Sequence, residues 1–170
     1  MSLILFLIAV VASRVLLHEL GYANNFAAVT ALAMFVSCYW SPRQALGSTL
    51  AVRFVSDLFI GFFSLPLMIA VYACHLIGIP LGSWIARKKT VTRIIAAPLI
   101  TATLFFFVTN FAFLYPEYPH TLSGIGLAYL NGLPFLRGTL IGDIGYVVVL
   151  FGGYDLIRHV VGSKAAANRS

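Results

Sequence analysis

The chain has 170 residues, 61% of them hydrophobic and 9% charged, with a formal net charge of +6. Soluble domains carry roughly 25% charged residues, so this composition excludes an ordinary water-facing surface. The basic residues are few and form no basic helix with interleaved aromatics, which speaks against nucleic-acid binding.

Apolar runs of about 18 or more residues read as membrane spans. The run over residues 94–114 does not alternate apolar and polar positions, as a barrel strand would. The first predicted span covers residues 3–17 and is interrupted by Arg14. No Lys or Arg precedes it, so it reads as a retained helix and not as a cleaved signal peptide. The second covers residues 25–40 and ends at Ser41-Pro42; the third, 45–63, contains Arg53 and Asp57. The fourth covers residues 65–86, with Pro66 near its start and Pro80 inside it, and the fifth covers 94–115. Tyr115-Pro116-Glu117-Tyr118-Pro119 then breaks the chain, because paired prolines remove donors and disfavour helix. Residues 120–132 are too few to cross a bilayer and are expected to form a short interfacial helix; the sixth span covers 134–157. The expected fold class is therefore all-α, an integral membrane bundle of six transmembrane helices. It forms a single domain over residues 1–162, followed by a polar cytoplasmic tail at 163–170.

Lys and Arg of short loops collect on the cytoplasmic side of a membrane. With six spans, Arg43, the group Arg87, Lys88, Lys89 and Arg93, and the group Arg158, Lys164 and Arg169 all fall on one side. The other side has Glu19, Glu117 and His120 in its loops and no lysine. The expected location is the inner (plasma) membrane with both termini cytoplasmic.

The remaining charges point to function. An ionisable group in hydrocarbon costs at least ~2.5 kcal/mol near the bilayer centre, so such groups face a partner or a watery cavity. Arg14, Arg53, Asp57, Arg137 and Asp143 fall within or at the edge of spans, and Asn25 and Asn110 belong at a similar level. At 1.5 Å per helical residue Arg137 falls near the outer surface and Asp143 about 9 Å below it, and most of the set falls in the outer half. Two readings are open: pairing that holds the bundle together, or the lining of a polar cavity reached from outside. Arg53 and Asp57, four apart, share a helix face and can pair. His75, beside Cys74, reads as a packed histidine, because a soft metal site needs more nitrogen or sulfur ligands. No metal or cofactor is expected.

Small residues four apart recur as Ala9 and Ser13, Gly78 and Gly82, and Gly138 and Gly142. Such faces let helices approach closely, either within the bundle or against another membrane protein. No P-loop, HExxH, G-x-S-x-G or CxxC motif is present, and the expected class is not an enzyme.

Residues 25–32 (NFAAVTAL), Ser56-Asp57-Leu58, Val108-Thr109-Asn110-Phe111 and residues 133–143 (LPFLRGTLIGD) give the chain a resemblance to a poorly characterised bacterial family of six-helix membrane proteins. That family is similar to the substrate-binding S components of energy-coupling factor (ECF) transporters. The resemblance implies a micronutrient site near the outer face and docking on a transmembrane coupling subunit through small residues of the first helix, here Ala9 and Ser13. ATPase subunits would supply the energy. The expectation is thus a substrate-binding subunit for uptake of a small polar or anionic micronutrient, with Arg14, Asn25, Arg53, Asp57, Asn110, Arg137 and Asp143 at the site. The alternative is a small membrane scaffold or assembly factor whose intramembrane charges are structural.

Overall fold

The computed structural model describes residues 3–21 and 28–167, with side chains through residue 160. Among the described residues the chain is helical, without strands. The elements are α1 (Leu3–Glu19), α2 (Val29–Tyr39), α3 (Pro42–Ile60), α4 (Leu65–Leu76), α5 (Gly78–Arg87), α6 (Val91–Thr109), α7 (Leu122–Val147) and α8 (Gly153–Ala167). A one-turn 3₁₀ helix at Ala112–Leu114 precedes α7, and a π turn at Val148–Gly152 joins α7 to α8.

Local chemistry sets these ends. Ser41 caps α3 by accepting from the Gln44 amide at 3.2 Å, with Pro42 in the first turn. An N-terminal proline gives up a donor that has no intrahelical partner anyway. Gly61, at φ 106°, ends the same helix in a conformation that side chains with a Cβ rarely adopt. Thr90 and Thr121 cap α6 and α7 in the same way as Ser41.

Helix α2 is the centre of the bundle. Nine of its residues, from Val29 to Ser37, are buried, and α3, α5 and α7 pack around it. A helix that is apolar on every side is stable only when it is covered all round. The glycines of α5 permit the closest approach. A Cβ at Gly82 would fall 2.2 Å from the Met34 carbonyl oxygen, and one at Gly78 would fall 2.8 Å from that of Thr30. This small-residue pair therefore serves packing within the bundle.

The outer surface is apolar. Ile4, Leu5 and Ile8 on α1, Leu58 and Phe59 on α3, and Ile141 and Val149 further on are each more than half exposed. An apolar surface of this extent matches lipid, since soluble monomers rarely expose contiguous patches beyond a few hundred Å². Three helical segments are long and apolar enough to cross a membrane: Leu65–Arg87, Val91–Thr109 and Leu122–Val160.

One expectation is corrected here. Residues 120–132 do not form a separate short helix, because α7 runs unbroken over 26 residues from Leu122, with Pro134 inside it. Pro134 removes one backbone donor, a loss that helices packed against neighbours tolerate. Helix α8 runs past residue 162, to Ala167.

At one end of the bundle Tyr39, Lys89 and Asp155 meet. Lys89 donates to both other side chains, reaching Asp155 Oδ2 at 2.5 Å, and its ammonium lies 5.0 Å from the centre of the Tyr39 ring. Partial burial alone pushes the Lys89 pKa down; the bonds to Asp155 and Tyr39 outweigh it and hold the pKa above the usual lysine value.

Candidate functional site

Away from that end, three buried charges converge. Arg53 Nε donates to Asp57 Oδ2 at 2.9 Å, one turn along α3. Arg14 Nη2, from α1, lies 2.8 Å from Asp57 Oδ1, an ion pair without hydrogen-bond alignment. Tyr72, from α4, donates to Asp57 Oδ2 at 2.8 Å. Arg14 also donates through Nη1 to Ser56 Oγ. The Arg53 guanidinium lies over two rings, 5.5 Å from the Tyr72 centroid and 5.7 Å from that of Phe63. Side-chain exposures of 8% for Arg14 and 1% for Asp57 leave little water to screen the group. Two guanidinium groups on one carboxylate leave one positive charge in excess.

The excess charge borders a cavity of about 470 Å³. Arg14 and Arg53 both line it, while Asp57 sits behind them, outside the lining. Asp143 of α7 belongs to another wall; it is 3% exposed. Its one hydrogen-bond partner among the described residues is Thr101 Oγ1, at 3.5 Å. His75 bonds through Nδ1 to Thr30 Oγ1 at 2.9 Å, packs 5.4 Å from the Phe105 ring, and leaves Nε2 buried without a partner.

The loop after α6 contributes the opposite part of the lining. Tyr115 donates to the Thr109 carbonyl at 2.6 Å, and Asn131 donates to the Tyr118 hydroxyl at 3.1 Å; all four residues border the cavity. Burial pushes the Tyr115 hydroxyl up, and Tyr118 and Glu117 act in the same direction, so it is a neutral donor at physiological pH. Asn110 closes this part against α7: a Cβ at Gly132 would fall 2.3 Å from its Oδ1. The volume lies in the lower half of the roughly 300–1,000 Å³ range of small-molecule sites, and more than half of the lining residues are polar or charged.

The profile of a family of unknown function, DUF6580, matches residues 1–166. The chain belongs to this family. No curated protein and no solved structure matches it.

In this DUF6580 chain the structure gathers Arg14, Arg53, Asn110 and Asp143 around one cavity, with Asp57 in the layer behind. Asn25 lies outside the described residues. Arg137 is a correction: it is exposed and does not line the cavity. Phe135, Thr139 and Asp143 do line it, and position 137 is two residues from either of the first two, about 200° round the helix. Because α7 begins at Leu122, the Asp143 carboxyl sits roughly 32 Å along that helix. His75, Thr30 and Asn131 were not expected at the site. The signal for Asn131 is a lone amide in an apolar stretch, the same signal that singles out Asn110. Nothing local distinguishes His75 from a packed histidine. Ala9 is exposed on α1, and Ser13 is half-buried, donating to the Val10 carbonyl at 2.9 Å.

Proposed function

We propose that this is a six-span protein of the inner (plasma) membrane, with both termini cytoplasmic, that binds a small polar or anionic solute in the cavity from the outer side. The single observation that carries the reading is the pair of buried arginines in the cavity wall, sharing one carboxylate. A buried excess charge is costly in hydrocarbon and is relieved by an anionic group in the adjoining space.

The distribution of helix ends supports the topology. The C-terminal part of α1, the N-terminal part of α4, the residues after α6 and the first turns of α7 border the cavity. Tyr39, Lys89 and Asp155 cluster elsewhere, beside the basic positions Arg87, Lys88 and Arg93. A basic end that is cytoplasmic leaves the cavity to the outside.

The resemblance to S components extends the proposal to partners, namely a transmembrane coupling subunit and ATPases. The exposed Ala9 on α1 is consistent with docking there. One observation favours the scaffold reading instead: both oxygens of Asp57 are engaged within the protein. The two readings separate on bound solute. Mass spectrometry of small molecules extracted from the purified protein, against empty nanodiscs of the same lipid, is the test. A solute enriched with the protein supports binding, whereas matching extracts leave the charges with a structural role only.

A further inference from the structure

We infer that the solute is a compact zwitterion, its anionic group held by Arg14 and Arg53 and its protonated amine by Asp143. This rests on the solute-binding reading and names the class of ligand. The buried ionisable groups at the cavity include two guanidinium groups and two carboxyls. They are not evenly paired. Asp57 takes both arginines, at 2.8 and 2.9 Å, so that wall of α1 and α3 is left with one positive charge. Asp143, on α7, has no cation within ion-pair distance among the described residues and is 3% exposed. The excess cation and the unpaired carboxyl therefore lie on different walls of one cavity.

The unpaired carboxyl is also short of donors. The Thr101 hydroxyl carries a single proton. Its three acceptors are the Pro98 carbonyl at 3.1 Å, the Ala97 carbonyl at 3.3 Å and Asp143 at 3.5 Å. The carboxyl is the farthest of the three. A buried carboxylate without a firm donor is a costly arrangement, and an ammonium group from a ligand supplies both the charge and the protons. His75 Nε2, buried and unpartnered in the same lining, offers a further polar contact. A simple anion would satisfy the arginines and leave Asp143 uncompensated. A simple cation would do the reverse. A zwitterion offers a partner to both walls.

The test is affinity selection on the full chain in nanodiscs, read by mass spectrometry. The probes are α- and ω-amino acids with uncharged side chains, together with their amides, their N-acetyl derivatives and their N-acetyl amides. These share skeletons and are zwitterions, cations, anions and neutral molecules respectively. The expected result is retention of zwitterions at least about tenfold above the matched anions and cations, the scale of one charge-assisted contact. Asp143→Asn is expected to cut zwitterion retention roughly 10- to 100-fold and to bring the N-acetyl anions level with the zwitterions. The panel on the parent protein decides the matter even if the variant does not fold. Equal or better retention of N-acetyl anions by the parent overturns the zwitterion inference and leaves solute binding standing. Retention of none of the four classes overturns the zwitterion inference, while solute binding itself is decided by the extraction described above. Parental retention of zwitterions by a folded Asp143→Asn protein removes Asp143 from the site.

Discussion

Neutralising Asp57 is the sharpest perturbation of the buried charges. Asp57→Asn keeps the size of the side chain and an acceptor for Tyr72, and removes only the charge between the two arginines. Arg14 and Arg53 are 8% and 6% exposed, so two like charges are then left buried together. Breaking a buried pair by removing one partner costs about 3–5 kcal/mol. For a chain of this size about 1 kcal/mol shifts the melting temperature by roughly 2–4 °C, so the expected drop is roughly 6–20 °C. The triad's arithmetic predicts an order as well. Arg53→Met removes the excess charge and leaves Asp57 paired with Arg14, so it should cost clearly less than Asp57→Asn. The assay is thermal unfolding in one detergent, followed by fluorescence-detected size exclusion. Melting of Asp57→Asn within about 2 °C of the parent would refute the pairing, since ~1 kcal/mol is too little for a broken buried pair. So would a lower melting point for Arg53→Met than for Asp57→Asn.

Further outcomes follow from other contacts. Gly82→Ala should lower stability by about 1–3 kcal/mol, the usual cost of overpacking, because its Cβ would meet the Met34 carbonyl at 2.2 Å. Gly126→Ala, with open space around it, should melt no lower than the parent in the same assay. Lys89→Met should cost no more than about 1 kcal/mol, as for other exposed ion pairs. The Lys89 contribution has the sign of a raised pKa: full below the unfolded value of about 10.5, and lost as pH rises through the folded one, so the parent-to-variant gap should close only in strong alkali. For topology, with Cys38 and Cys74 replaced, a cysteine at Glu117 should react with an impermeant maleimide on intact cells and one at Lys88 should not; the reverse pattern would invert the proposed orientation.

Much of the helical layout was legible because its signals are local. Ser41-Pro42, the Pro116 and Pro119 pair and the Arg53–Asp57 spacing each act within a turn or two, and each is found where expected. The start of the last long helix was not legible. Residues 120–132 contain three glycines and lead into Pro134, which reads as a weak stretch followed by a helix start. Two of those glycines instead let α7 lie against the preceding segment. A Cβ at Gly124 would fall 1.8 Å from the Pro119 carbonyl, and one at Gly132 would strike Asn110. These are tertiary contacts with no sequence period. Arg137, grouped with Asp143 by depth alone, falls on a face of α7 that does not border the cavity. The union of Arg14 with Asp57 likewise depends on how α1 packs on α3, which no spacing within either helix encodes.

The native mass spectrum of the intact protein, released from nanodiscs, tests the solute cavity most directly when the parent is run beside Ala128→Trp. Ala128 is 3% exposed and lines the cavity, so an indole there takes the space a solute would fill. The account predicts a stoichiometric small-molecule adduct on the parent that is absent from the variant. An adduct of the same mass on both proteins, or none on the parent, would contradict it.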